Sequence, residues 1–184
     1  MSNILITSVG KRVSLTKAFE KELFKLFPNN KIYVGDANPE LAAACIASVN
    51  SFIVPRLDSS TYIDEIIKIC VHNDIRLIIP TIDTELLLLA DNKEKFLKNN
   101  IIPVISSVGF IQKCRDKRGI HSFFNQHEIK TANEYSKKDY KLPLFIKPID
   151  GSRSVDNYII KSEKDFMKSH FSNDTLMFLE YLDK

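Results

Sequence analysis

Unbroken apolar runs alternate with amphipathic stretches through the first part of this chain. The apolar runs cover residues 4–9 (ILITSV), 31–36 (KIYVGD), 52–55 (FIVP), 76–81 (RLIIPT) and 101–106 (IIPVIS). Each is too short for a helix and too apolar for a strand with one wet face, so the pattern predicts strands covered on both sides. Between them, residues 11–27 place Leu15, Ala18, Phe19, Leu23 and Leu26 at helical spacing, and Pro28 with Asn29-Asn30 ends that helix. Residues 38–48 predict a short helix with Asn38 as cap and Pro39 in its first turn. Residues 59–74 predict an amphipathic helix opened by a Ser/Thr cap, residues 83–100 one capped by Asp83 or Thr84, and residues 108–114 one more. Strand and helix in regular alternation predict an open parallel sheet with right-handed crossovers.

The pattern changes near residue 115. Residues 116–129 predict one helix. Strand-like runs follow at 142–148 (LPLFIKP), 155–161 (VDNYIIK) and 175–182 (TLMFLEYL), with a helix predicted at 162–171. This order is not a further parallel crossover series. The fold class expected is α/β: a Rossmann-like parallel domain over residues 1–114, then a small α+β antiparallel module over 115–184.

Composition narrows the function classes. Lysines and arginines number 26 against 23 acids, a net charge of +3 with both signs mixed along the chain. A dedicated nucleic-acid binder should show a basic stripe instead. No apolar run approaches a membrane span, and no leader peptide is read at the start. Cys45, Cys70 and Cys114 are odd in number and far apart, which fits reduced, buried thiols in the cytoplasm and no disulfide or zinc framework. His72, His121, His127 and His170 form no ligand spacing and are assigned no role.

Candidate chemistry sits at strand ends. In open parallel sheets, ligands bind beyond the carboxyl ends of the strands. Here those ends carry residues 7–10, Asp36, Thr81 and Asp83. Gly10 permits a tight turn, although no G-x-G-x-x-G fingerprint follows. Lys11 or Arg12 could meet an acidic ligand, and Asp83 or Glu85 an amine. Solvated cations are the simpler account of Lys11 and Arg12, and a helix cap that of Asp83. Lys147 is the oddest residue: a cation inside an apolar strand is costly unless an anion meets it.

The segments ILITSVGKRVSL, IPTIDTEL, CRDK, LPLFIKPIDGSRS and FLEYL, in that order, resemble the amino-terminal part of an ATP-grasp enzyme of the carbamoyl-phosphate-synthase large-subunit branch. The resemblance implies a preATP-grasp domain plus lid of an ATP-dependent carboxylate–amine ligase, which works through an acylphosphate. It implies Lys147 and Lys117 as phosphate contacts from opposite lobes. It makes Gly151, Ser152, Arg153 and Ser154 the phosphate-covering loop, and Glu180, Tyr181 and Leu182 the adenine hinge. That loop keeps one glycine where the family is usually richer. The implied cofactors are ATP and Mg²⁺, with the metal ligands in a segment beyond residue 184, so that the chain alone would be inactive. Implied partners are a small carboxylate and either a second copy or a complementing carboxy-terminal polypeptide, which the last strand, at an unfinished sheet, would pair. The alternatives are a non-catalytic nucleotide- or ligand-binding module, or one half of a split ligase.

Overall fold

The structure is a computed structural model, and it describes residues 3–151 and 154–183. The chain divides into two compact units, Met1–Ile111 and Gln112–Lys184.

In the first unit, β1 (Asn3–Thr7), α1 (Val13–Leu26), β2 (Ile32–Asp36), α2 (Ala43–Ile46), β3 (Ser51–Ile53), α3 (Tyr62–His72), β4 (Ile75–Pro80), α4 (Asp83–Asp91), α5 (Lys93–Lys98) and β5 (Ile102–Pro103) follow one another, and the boundary with the second unit falls within α6 (Val108–Arg115). The strands form one sheet in the order β3-β2-β1-β4-β5, and every pair is parallel. Both faces are covered, as the apolar runs predict. Ile4, Ile6, Ile32 and Val34 pack with Leu23 of α1 and with Ala44 and Cys45 of α2. Leu5 and Ile78 pack on the other face with Ile66 and Cys70 of α3, Leu89 of α4 and Phe96 of α5. β1 lies between β2 and β4, with Ile6 opposite both Val34 and Ile79. The chain reverses its direction of sheet growth there, and the switch point lies between β1 and β4.

The differences from the sequence expectation are local. The α1 face that meets the sheet is Val13, Thr16, Phe19 and Leu23, while Leu15, Ala18 and Leu26 are exposed. The apolar positions on α1 are wider than the stripe one sheet can bury. The segment after Asn38 breaks into a 3-10 turn, Pro39–Leu41, and the short α2, and the Asn38 side chain caps neither. The predicted helix over 83–100 is two helices that meet at Asn92. Its N-cap is Ile82, so neither Asp83 nor Thr84 fills that position. Cys45 and Cys70 are buried, but Cys114 is exposed, because α6 turns it outward while Ile111 is buried. Burial first, and then Asp36, push the Cys45 thiol up to about 11; burial pushes Cys70 to about 12.

The second unit contains α7 (Lys117–Gln126), β6 (Glu134–Tyr135), β7 (Leu144–Pro148), β8 (Tyr158–Ile160), α8 (Lys168–Ser172) and β9 (Leu176–Glu180). Its antiparallel sheet runs β6-β9-β7-β8. Leu144, Ile146, Ile160, Leu176 and Phe178 form its core, with Tyr140 and Phe166 packed against them. The expectation that the last strand lies at an unfinished edge is corrected. β9 is interior, because β6 pairs it through Glu134↔Leu179 and Tyr135↔Phe178. A two-residue strand carries too little periodicity to be read from sequence. Among the described residues, no helix is long and apolar enough to cross a membrane.

Candidate functional site

The second unit holds the first cluster. Along β7, Leu144 and Ile146 enter the core, so the strand alternation sends Phe145 and Lys147 to the opposite face. Lys147 lies across from Met177 of β9 and is half-buried. Among the described residues its ammonium has neither a hydrogen bond nor an ion pair. Burial first, and then the neighbouring Lys117 ammonium, hold its pKa below the ordinary lysine value; Glu134 acts in the other direction.

Lys117 opens α7. Asp116 caps this helix by accepting from the backbone N–H groups of Arg118 and Gly119 at 2.9 and 3.2 Å. The Lys117 backbone N–H donates to the Ile149 carbonyl at 3.2 Å. Its Nζ donates to the carbonyls of Gly151 at 2.6 Å and Ile149 at 3.3 Å. Arg115 reaches Asp150 at 3.3 Å. The start of α7 is thus tied to the loop after β7. The expectation that Lys117 and Lys147 come from opposite lobes is therefore corrected: both belong to the second unit.

The loop after β7 packs closely on itself. A Cβ at Gly151 would lie 3.1 Å from the Pro148 Cβ, tighter than ordinary contact, so glycine suits that position. Ser154 has φ +58, in the left-handed region. Ser152 and Arg153 lie outside the described residues. At the end of β9, the Glu180 backbone N–H donates to the Asn133 carbonyl at 2.8 Å, and its carboxylate accepts from Asn133 Nδ2 at 2.8 Å. Tyr181 is half-buried and Leu182 is exposed beyond the strand.

Sequence reasoning passed over His121 and Glu134. His121 stands one turn after Lys117 on α7 and is half-buried. Burial and then Lys147 hold its pKa below the ordinary histidine value, against the pull of Glu134. Glu134 accepts from Arg118 Nε at 2.7 Å. The i, i+4 spacing from Lys117 was the available signal for His121. Glu134 offered none.

The second cluster is the switch point of the first unit. Ser8 has φ +54 and Gly10 φ +48, so the chain turns sharply after β1. Asp36 accepts from the Gly10 N–H at 3.0 Å and from the Asn38 N–H at 3.1 Å. Thr81 Oγ1 donates toward the carbonyls of Ser8 at 2.6 Å and Thr7 at 2.9 Å. Glu85 is fully buried. Its carboxylate accepts from Tyr62 OH at 2.6 Å and from Ser8 Oγ at 2.9 Å. The buried Thr7 hydroxyl lies beside it, at a geometry too poor for a hydrogen bond. Burial raises the Glu85 pKa, and the neighbouring hydroxyls work against that shift. Lys11, Arg12 and Asp83 are placed differently: all three are exposed, and Arg12 Nη1 donates to the Ser8 carbonyl at 3.4 Å.

Comparison with known proteins fits this architecture. The fold is similar to that of Rhizobium etli pyruvate carboxylase (TM-score 0.60, 17% identity, 99% of this chain and 18% of that one). It is also similar to the biotin carboxylase domain of Hydrogenobacter thermophilus 2-oxoglutarate carboxylase, whose structure holds Mg-ADP, ADP and bicarbonate (TM-score 0.68, 13% identity, 98% of this chain and 44% of that one). A third is Bacillus anthracis D-alanine–D-alanine ligase complexed with ATP (TM-score 0.54, 15% identity, 100% of this chain and 60% of that one). At such identities the likeness concerns the fold alone, and the chain spans 18% to 60% of these proteins. No curated protein matches the sequence. Residues 4–105, more than half of the chain, match the family described as PylC-like, N-terminal domain, and the chain belongs to that family.

Proposed function

We propose that this chain binds ATP on its second unit and forms the amino-terminal part of an ATP-dependent carboxylate–amine ligase. The observation that carries the reading is the half-buried Lys147, beside a second lysine and without a counter-anion among the described residues. Two ammonium groups held together at a cost in mutual repulsion suit a polyanionic ligand. ATP, when bound, supplies the phosphoryl group that activates a carboxylate for attack by an amine.

In this reading Lys147 meets the phosphates. Lys117 fixes the covering loop through the Gly151 carbonyl and leaves it to reach the phosphates when they arrive. Gly151 and Ser154, with Ser152 and Arg153, cover the phosphates. Backbone groups of Glu180, Tyr181 and Leu182 frame the adenine, and Asn133 holds Glu180 in place for that. Lys11, Arg12 and Asp83 stand at the edge of the first unit toward the substrate, with Gly10 shaping the turn. Glu85 has no free oxygen to offer a substrate amine and serves as scaffold. No cluster of three or more acids, histidines or cysteines among the described residues could hold a metal, so no step is assigned to magnesium here.

The carboxylate is small, and bicarbonate, as a carbamoyl-phosphate-synthase-like enzyme takes, is the narrower form of the proposal. Free thiols at Cys45, Cys70 and Cys114 suit a reducing, cytoplasmic setting. A nucleotide-binding module without catalysis is the second reading. The engagement of the Lys117 ammonium with loop carbonyls favours it.

Titration of the labelled chain with Mg-ATP, followed by amide chemical shifts, tests the proposal. Shifts clustered at residues 117, 147, 151 and 180–182 are expected. Saturating Mg-ATP that leaves those amides unmoved would overturn it. Steady-state release of ADP that requires a carboxylate would separate the ligase from the binding module.

A further inference from the structure

A third basic side chain, on α7, lies close enough to Lys147 to feel its charge. α7 is anchored at its start by Lys117 on the loop after β7, and beside β6 by the 2.7 Å Arg118–Glu134 pair. One helical turn beyond Lys117, this places His121 on the same side of α7. A cleft of about 640 Å³ opens beside the ring, lined among others by Arg118, Ser122, Asn133 and Glu134. The charged groups around the imidazole are Lys117 and Arg118 on its own helix, Lys147 on β7 and Glu134 on β6. Its half-buried ring has no hydrogen-bond partner among the described residues.

We propose that His121 is a third, proton-linked contact for the polyphosphate, taking a proton from solvent when the nucleotide binds. The inference rests on the nucleotide-binding reading above and adds to it a regulation by pH. In the free site, the positive charge of Lys147 and the loss of hydration both disfavour an imidazolium. A bound triphosphate reverses the local sign, and the imidazolium becomes a hydrogen-bond donor to it. Glu134, already engaged by Arg118, gives too little negative charge to achieve this alone.

The experiment follows the imidazole proton signals of the four histidines through a pH titration, with and without saturating Mg-ATP. The free chain is expected to show His121 titrating below 6.5. The bound chain should show it about one unit higher. Linkage then requires affinity for Mg-ATP to rise about tenfold as pH falls through that window. His121→Gln should bind Mg-ATP without that rise as pH falls. Calorimetry in two buffers of different protonation enthalpy should show proton uptake by the parent chain only. If Mg-ATP binds and His121 titrates the same with and without it, this inference falls and the nucleotide site stands. If Mg-ATP does not bind at any pH, both fall. The imidazole titration is read on the parent chain, so it holds even where the variant folds poorly.

Discussion

At the switch point of the first unit, the carboxylate of Glu85 is met by the hydroxyls of Ser8 and Tyr62, and that of Asp36 by two backbone N–H groups. On the sheet of the second unit, the ammonium of Lys147 is met by no acceptor among the described residues and is pressed by another cation. Both clusters contain charged groups removed from water. In the first, the chain answers its own charge with hydroxyls and backbone N–H groups at the strand ends where a doubly wound fold would place a ligand. In the second, the chain leaves like charges together, which costs stability unless something from outside completes the set. A satisfied polar network argues for scaffold, and an unsatisfied one for binding. Each variant below tests one side of that contrast.

The largest effect is expected at Glu85. Glu85→Ala strips both hydroxyls of their acceptor and opens a cavity beneath the turn after β1. A loss of about 3 kcal/mol in unfolding free energy should follow. Glu85→Gln keeps the shape and one acceptor, so its loss should be smaller. The folded carboxyl has a raised pKa, so its charged form is the disfavoured one. Stability of the parent is therefore fullest below the unfolded value of 4.5 and declines as pH rises through the folded value. The gap between parent and Gln variant should narrow as pH rises. Urea denaturation across pH measures both, and an Ala variant within about 0.5 kcal/mol of the parent would show that the switch point is not held by this group.

Nucleotide affinity should respond next. A hydrogen bond to a charged group is worth about 1.5–3 kcal/mol, so Lys147→Ala should weaken Mg-ATP binding by about 10- to 150-fold. The same change relieves the repulsion with Lys117, so thermal unfolding of the chain should stay level or move up. A variant that binds normally but unfolds earlier would invert the contrast and make Lys147 the structural residue.

These two residues also show what the sequence could and could not carry. Lys147 stands out because its neighbours are apolar, a local signal. Glu85 does not, since DTELLLL reads as an acidic first turn and its donors come from 23 and 77 positions away. The alternation of the parallel sheet is legible because strands covered on both faces must be apolar throughout, and Leu5 and Ile6 meet that demand on opposite faces. β6 is not legible, since its two residues pair only through distant β9. The placement of Lys117 beside Lys147 rests on backbone contacts to Ile149 and Gly151, which leave no mark on residue type.

A smaller effect is expected at His170. The ring is buried, its Nδ1 accepts from the Met167 N–H at 3.2 Å, and its Nε2 has no partner among the described residues. Burial holds its pKa below the ordinary value. Below pH 6.5 the unfolded chain takes up a proton that the folded chain refuses, so stability is full above that pH and falls as pH drops toward the folded value. His121 is shifted the same way and adds to the slope. His170→Asn keeps an acceptor near the Nδ1 position and should flatten the acid limb of a denaturation series, with the parent as control. An unchanged limb would mean that the ring is open to water at the start of α8.

The smallest expected effect has the opposite sign to the rest. Among the described residues, Glu134 is the carboxylate that acts on both Lys147 and His121, and its bond to Arg118 is partly exposed. Such a pair is worth at most about 1 kcal/mol, so Glu134→Gln should cost little stability. In a self-satisfied cluster, removing a partner only weakens. In a cluster that waits for a polyanion, Glu134 is a competitor for the cations, and its charge repels incoming phosphate. Glu134→Gln should therefore tighten Mg-ATP binding, by about fivefold at most. It should also lower the His121 pKa in the free chain, because the acid that favours the imidazolium is gone. Weaker nucleotide binding on loss of this acid would place Glu134 among the groups that hold the ligand, and the division between a satisfied and an expectant cluster would then fail at this residue.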